Sequence, residues 1–378
     1  MRSPHRTSHY APGAASPANA NLNAVCPYYT MFPLDFPLRV LKSAEGNGDW
    51  VLDPFCGRGT SNFAARLLSL PTLGIDSNPV AVAIARAKLA GAEGAEVTNV
   101  ARRILKRHRG AIEAPSGPFW KLAYSRDTLR QLCMLRRALL EDCRSQSRIA
   151  LRAIILGALH GPRGVSSTSY FSNQCPRTFA PKPAYATRYW EERHLQPPRV
   201  DVIDVIGKRA ERYLAAQPDR VAGVVRLGDS RSGATLENPT RFSWVITSPP
   251  YYGMRTYTQD QWLRAWFLGG PPEVDYHHPK HQISHRSPEV FASELRLVWR
   301  NAASVSKASA RLVCRFGGIH DRAADPLDLI RSSFQDSGWR VATIHSAGDA
   351  LDGKRQATQF AGKTRKPRSE YDIYAIKS

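Results

Sequence analysis

The chain has 378 residues, with 53 Lys and Arg against 32 Asp and Glu, for a formal net charge of +21. That length accommodates one large domain with an insertion, or two domains. No apolar run approaches the ~18 residues that a membrane-spanning helix needs. An arginine-dominated cationic excess of this size repels itself unless a polyanion neutralises it, which points to nucleic acid.

Residues 1–24 open Met1-Arg2-Ser3-Pro4, are rich in Pro, Ala, Asn and Ser, and lack the apolar core of a secretory signal. They are expected to form a disordered leader. Between Tyr28 and Lys42 the chain is expected to be extended up to Pro37 and helical after it. Trp50 to Pro54 reads as a buried strand, followed by Phe55-Cys56-Gly57-Arg58-Gly59-Thr60 and a helix from Ser61 to Leu70. A second strand, Thr72 to Asp76, precedes Ser77-Asn78-Pro79 and another helix through Leu89. Strand, glycine-rich turn, helix, strand and acidic residue make the first half of a doubly wound α/β sheet.

No third strand follows directly. Residues 100–221 are basic and helical in pattern, with Arg102, Arg103, Lys106, Arg107 and Arg109 at their start and apolar helical spacing over 129–140, 149–159 and 202–214. We expect a helical insertion there, the candidate target-recognition region, between the two parts of a catalytic domain at 25–99 and 222–378. Within it, residues 161–183 are rich in Gly, Ser and Pro and carry Tyr170, Phe171, Asn173, Gln174, Arg177 and Phe179. The sheet is expected to resume at Val224 to Asp229, with further strands at 243–247, 311–316, 340–344 and 371–376. Helices are expected at 259–267, 288–306 and 326–336. The stretch 350–369 holds Lys354, Arg355, Lys363, Arg365, Lys366 and Arg368, and is too long for a tight hairpin turn. It is expected to project as a basic loop.

Two places carry chemistry. At Asp53 to Thr60, glycines where a strand turns into a helix let backbone N–H groups approach a ligand. The spacing is neither that of a dinucleotide fold nor that of a P-loop, so neither nicotinamide nor ATP fits it. Asp76 ends the next strand, where ribose hydroxyls are held in nucleotide-binding sheets, and Asp229 ends the third, placed to accept from an adenine amino group. The second place is Thr247-Ser248-Pro249-Pro250-Tyr251, at the end of the run Phe242 to Ile246. Neither proline nitrogen donates a hydrogen bond, and Ser248 is held extended by the proline after it. The product is a stiff turn of carbonyls, a hydroxyl and an aromatic face, suited to a planar group bearing NH2.

Taken together, Asp53 to Thr60 and Thr247 to Tyr251 resemble the S-adenosylmethionine-dependent DNA amino-methyltransferase family, of the Ser-Pro-Pro-Tyr type. The resemblance covers residues from about 25 to 99 and from 222 to 378. It implies a seven-stranded, Rossmann-like class I methyltransferase sheet with a reversed last strand. It also implies that Gly57 and Gly59 face the methionine part of the cofactor, that Asp53 holds its amino group through the surrounding network, and that Asp76 takes the ribose. Ser77 and Asp229 would flank the adenine, and Phe55 and Thr60 belong to the same cofactor loop. Thr30-Met31-Phe32-Pro33 resembles the family's N-terminal cofactor-lid motif, which places Phe32 and Pro33 at the cofactor. The cofactor loop precedes the Ser-Pro-Pro-Tyr loop, the reverse of the order in much of the family.

The implied chemistry is transfer of a methyl group to an exocyclic amine whose lone pair is delocalised into its ring. The Ser248 hydroxyl and the Pro249 carbonyl are the acceptors expected to draw on its N–H groups, with Pro250 stiffening them and Tyr251 stacking on the base. A duplex hides that amine, so the base must be flipped out, and Tyr252, Tyr257 and the aromatics of the insertion are candidates to stack on it. Ser248 leans the target towards cytosine N4 over adenine N6.

Carbon-5 methylation needs a Pro-Cys thiolate. Cys26-Pro27 and Cys175-Pro176 have the reverse order, and Cys314 lies within a strand. These cysteines and Cys56, Cys133 and Cys143 are scattered without a C-x-x-C pair, which argues for structural thiols in a reducing cytoplasm. His277-His278 and His281/His285 have no carboxylate cluster in register, so no metal is expected and the histidines are read as a solvated loop. The nucleic-acid contacts expected are Arg102, Arg103, Arg177, Lys354, Arg355, Lys363, Arg365 and Lys366. The implied partners are double-stranded DNA and a cognate restriction endonuclease. Methylation of tRNA or of a protein glutamine amide, and a non-catalytic DNA-binding protein of this fold, are the competing readings.

Overall fold

A computed structural model describes residues 17–28, 32–44, 48–107, 110–162, 169–176, 182–254, 259–276, 281–318, 324–349 and 369–378. Seven strands form one sheet: β1 (Trp50–Asp53), β2 (Thr72–Asp76), β3 (Gly223–Leu227), β4 (Phe242–Thr247), β5 (Ser306–Gly317), β6 (Trp339–Asp349) and β7 (Ser369–Lys377). Their order is β3-β2-β1-β4-β5-β7-β6. The first five run parallel, and β7 is antiparallel to both β5 and β6. The chain leaves β1 in one direction for β2 and later returns to its other side as β4, so the crevice beyond the C-terminal ends of β1 and β4 is a topological switch point.

Fourteen α-helices accompany the sheet among the described residues. In chain order they begin with α1 (Pro17–Asn23), α2 (Asp35–Leu41), α3 (Thr60–Leu67), α4 (Pro79–Leu89) and α5 (Gly94–Arg107). Next come α6 (Pro118–Ala123), α7 (Arg126–Glu141), α8 (Gln146–Ala158), α9 (Pro183–Glu191) and α10 (Val202–Leu214). The last are α11 (Gly233–Leu236), α12 (Trp262–Phe267), α13 (Pro288–Ser304) and α14 (Pro326–Phe334). Several starts are written in the sequence as a capping side chain followed by proline. Asn78, Ser287 and Asp325 accept backbone N–H groups of the first turns of α4, α13 and α14, and each is followed by a proline whose missing N–H costs nothing there.

Alternation along the strands separates two cores. Val51, Trp244, Ile246 and Val313 join Phe36, Phe63, Val80 and the helices of the insertion on one face. Leu52, Val245, Leu312 and Cys314 join Phe291, Leu295, Trp299 and Ile330 of α13 and α14 on the other.

Three expectations are corrected. The leader is not without structure as far as Asn23: Pro17–Asn23 is helix, Leu22 is fully buried, and Asn23 accepts a 2.7 Å hydrogen bond from the buried Lys88 ammonium. Helix α2 starts at Asp35 rather than after Pro37, because a proline in a first turn removes no helical hydrogen bond. The boundary at 99/100 falls inside α5, whose Val97, Val100, Ala101 and Ile104 face inward. The insertion over residues 100–221 therefore shares the core of one sheet face. Helix α8, buried on nearly every side, has the composition of a helix inside such a core.

Candidate active site

The turn after β1 is assembled from backbone. The Cys56 N–H continues the ladder by donating to the Ile75 carbonyl at 2.9 Å, and Gly59 donates back to Cys56 at 2.7 Å. Gly57 and Gly59 take positive φ, +49° and +75°, where a side chain is strained. A Cβ on Gly59 would also lie 2.7 Å from the Ala85 Cβ, so this glycine lets the start of α3 press against α4. A Cβ on Gly57 would meet nothing within 4 Å, so the turn opens outward there.

Asp76 braces this turn from the next strand. Its Oδ2 accepts from the Gly57 N–H at 2.9 Å and its Oδ1 from Asn78 at 2.8 Å. Each oxygen keeps a second lone pair for a hydroxyl donor. Burial pushes its carboxyl up to about 6 despite both N–H bonds. Ser77 follows, half-buried, and the Asn78 amide donates to the Tyr28 hydroxyl at 3.0 Å. Burial and the Asp76 charge push that phenol upward.

Asp53 is 1% exposed. Its Oδ1 accepts the Phe55 N–H at 3.1 Å and the Thr247 hydroxyl at 2.6 Å. Burial again lifts this carboxyl to about 6, against the hydrogen bonds from Thr247 and Phe55. The carboxylate thus ties the end of β1 to the residue immediately before Ser248.

The loop after β4 is held by side chains. Pro249 is buried, while Ser248, Pro250 and Tyr251 are half-buried. The Tyr251 hydroxyl donates to Glu370 Oε1 at 2.8 Å, from the start of β7, and its ring meets Phe316 edge-on at 5.3 Å. Burial and the Glu370 charge push the phenol far up. Beyond Tyr251 the chain turns through Gly253 (φ +80°), whose N–H donates to His285 Nδ1 at 3.1 Å. His285 is stacked at a tilt on Phe291, 5.3 Å away, and Phe291 in turn meets Tyr252 edge-on. His285 is therefore a brace of the acceptor loop and not a residue of a solvated loop. Nothing near it in sequence reveals this, nor the role of Glu370.

Other predicted positions are placed less directly. Asp229 does not stand free for an adenine: Arg231 grips its carboxylate with Nε at 3.0 Å from both oxygens and Nη2 at 2.6 Å, while Arg231 Nη1 reaches Glu294 at 2.9 Å. Burial would raise the Asp229 carboxyl, but the Arg231 hydrogen bonds outweigh it and hold it low. Ser230, next in sequence, donates to the Pro54 carbonyl at 2.6 Å and so ties the β3 end to the cofactor loop. Phe55 lies edge-on to Trp299 at 6.3 Å, and Thr60 is buried at the start of α3. Phe32 packs against Phe36, while Pro33 is exposed and its carbonyl accepts the Phe36 N–H.

Arg102 and Arg103 are exposed on the outer side of α5. Thr30, Met31, Arg177, Tyr257, His277, His278, Lys354, Arg355, Lys363, Arg365 and Lys366 lie outside the described residues. Of the insertion's aromatics, Tyr170 and Phe171 are core, 7% and 0% exposed, which corrects their candidacy for stacking on a base. Five of the six cysteines are buried, and burial raises the Cys314 thiol well up. Among the described residues no group of three or more His, Cys, Asp or Glu is placed to hold a metal, and no helix is long and apolar enough to cross a membrane.

A glycine turn with open space at Gly57 and lone pairs on Asp76 fits a nucleoside cofactor with an amino-acid tail. The strand order with its reversed β7 makes the sheet Rossmann-like. A family model described as DNA methylase, of the N6 and N4 methyltransferases, matches residues 6–87. That span contains the cofactor loop and Asp76 and ends before the acceptor loop.

No curated protein matches the chain. Among solved structures it is similar to the rRNA methyltransferase aviRa from Streptomyces viridochromogenes, at 15% identity and a TM-score of 0.36, covering 94% of this chain and 92% of that one. An rRNA methylase from Streptococcus thermophilus matches at 6% identity and 0.34, over 93% and 99% of the two chains. A TehB-like SAM-dependent methyltransferase from Corynebacterium glutamicum matches at 9% identity and 0.30, over 90% and 86%.

Proposed function

We propose that the protein methylates an exocyclic amino group of a base flipped out of double-stranded DNA, with cytosine N4 ahead of adenine N6. The observation that carries this reading is the 2.6 Å hydrogen bond from Thr247 to Asp53, which locks the Ser-Pro-Pro-Tyr loop to the root of the cofactor loop on the adjoining strand. Donor and acceptor halves so joined hold a fixed separation, and most of the catalysis is positioning.

When bound, S-adenosylmethionine supplies the methyl group as a sulfonium with a good leaving group. Ser248 and the Pro249 carbonyl accept the amine's N–H groups and draw the nitrogen towards tetrahedral geometry, freeing its lone pair. The Tyr251–Glu370 hydrogen bond fixes the aromatic wall. No side chain is required as a strong general base, because the proton leaves after transfer.

The lean to cytosine rests on serine standing at the first loop position. Incubation with methyl-labelled cofactor and duplex DNA, followed by digestion to nucleosides, tests it. Label in N4-methylcytosine or N6-methyladenine is expected. Label only in 5-methylcytosine, or transfer to tRNA or a protein glutamine but not to DNA, overturns it.

A further inference from the structure

Of the Phe, Tyr and Trp side chains only Tyr185 and Tyr276 are exposed among the described residues, and Tyr185 is 44% exposed on α9. Four positions on, Tyr189 stacks with it, ring centroids 6.3 Å apart and planes 25° apart. Four further on, the Arg193 guanidinium lies 4.3 Å over the Tyr189 ring. Residues four apart share one side of a helix, so Tyr185 and Tyr189 share a face, and the guanidinium of Arg193, just past the end of α9, extends it into one stripe. The opposite side of α9 is anchored: Ala186 and Trp190 are fully buried, and the Trp190 indole N–H donates to the Gln174 carbonyl at 3.2 Å. The stripe therefore stands on a rigid support.

Its surroundings are mainly cationic. Lys182 just before α9, Arg188 on it and Arg199 beyond it are exposed. Of the nearby acids, Glu192 is already paired with Arg193 at 3.1 Å, and Glu191 is exposed. Folding gains little from an exposed tyrosine whose neighbours on the stripe end in a guanidinium. Such a ladder matches a partner with flat π faces and regularly spaced negative charge, in a chain whose net charge is +21.

We propose that the Tyr185–Tyr189–Arg193 stripe is a nucleic-acid stacking platform, with Tyr185 taking the face of an unpaired base and Arg193, Lys182 and Arg188 taking backbone phosphates. This rests on the DNA reading above and adds a second contact surface, outside the Ser-Pro-Pro-Tyr loop. An unpaired base is the occupant because a paired base inside a duplex offers no free face, whereas base flipping leaves unpaired nucleotides beside the enzyme.

Fluorescence anisotropy with the full chain tests it, using a labelled duplex containing one mismatch and the fully paired duplex of the same sequence, across a salt series. Tyr185→Ala is expected to weaken mismatch-duplex binding about fivefold or more with an unchanged salt slope, and Tyr185→Trp to restore it. Arg193→Ala is expected to weaken both duplexes and to reduce the salt slope by about one. S-adenosylmethionine affinity and the thermal midpoint are expected to stay at wild-type values in every variant. Wild-type affinity in Tyr185→Ala and Arg193→Ala, with the parent protein still binding DNA, overturns the platform alone. No DNA binding by the parent protein overturns both the platform and the DNA reading.

Discussion

The two loops at the C-terminal edge of the sheet are built in opposite ways. The loop after β1 is held by near neighbours: its Gly57 N–H reaches a carboxylate only 19 positions away. The loop after β4 is held by residues far along the chain, Asp53 at a separation of 194, Tyr251–Glu370 at 119 and Gly253–His285 at 32. A ligand that must be cradled by N–H groups calls for backbone geometry, which a short motif encodes. A turn that must present acceptors to a weak nucleophile calls for rigidity, which this protein takes from three other elements. The difference predicts that damage to the first loop appears in cofactor affinity and damage to the second in turnover.

Asp53 joins the two and breaks the distinction when removed. Asp53→Ala strands the Thr247 hydroxyl and the Phe55 N–H without their buried acceptor, at a cost of ~1–3 kcal/mol. Urea unfolding is expected to show that loss, with cofactor affinity and turnover both reduced. Wild-type turnover in this variant would show the link to be dispensable.

Ser248→Ala should separate the loops cleanly. Single-turnover methyl transfer is expected to slow by about 10²-fold or more, as for loss of one preorganised catalytic hydrogen-bonding group. Calorimetric affinity for S-adenosylmethionine should not change. An equal loss in both would place Ser248 at the cofactor instead.

Acidity acts on the first loop. The Asp76 carboxyl sits at about 6 in the folded protein and accepts hydroxyl donors best when ionised. Cofactor affinity is therefore complete above that value and lost as pH falls through it, by about tenfold per unit well below. Asp76→Asn should bind weakly at pH 7.5 and lose the part of this pH dependence that Asp76 contributes; an unaltered profile would assign it to Asp53.

The smallest effect is expected at His285. His285→Leu removes the acceptor of the Gly253 N–H and should lower kcat several-fold with cofactor affinity unchanged, whereas His285→Asn keeps an acceptor and should recover part of the loss. Equal behaviour of the two variants would reduce His285 to packing.

The same contrast governs what was legible in the sequence. The seven strands and the Asp53 to Thr60 turn were readable because alternation, glycine at a strand-to-helix turn and Asn-Pro or Ser-Pro caps are local signals. Thr247 to Tyr251 was readable as a stiff turn because two prolines act locally. Its supports were not, since neither His285 nor Glu370 carries any mark of a partner brought close only by folding. Asp229 misled for a related reason: its strand-end position implied a free acceptor, but Arg231, two residues on, satisfies it first. The helical insertion looked separable because its helices are continuous in sequence, although their apolar faces belong to the core of the sheet.

The central claim is that Ser248 to Tyr251 presents a DNA base amine to the cofactor loop. Modified-base sequencing of DNA from a host expressing the protein, beside one expressing Ser248→Ala, tests it most directly. N4-methylcytosine or N6-methyladenine in one sequence context, present with the parent protein and absent or sharply reduced with the variant, is the result predicted. Amino-methylated DNA undiminished in Ser248→Ala, or none in either host while the purified protein binds S-adenosylmethionine, would contradict it.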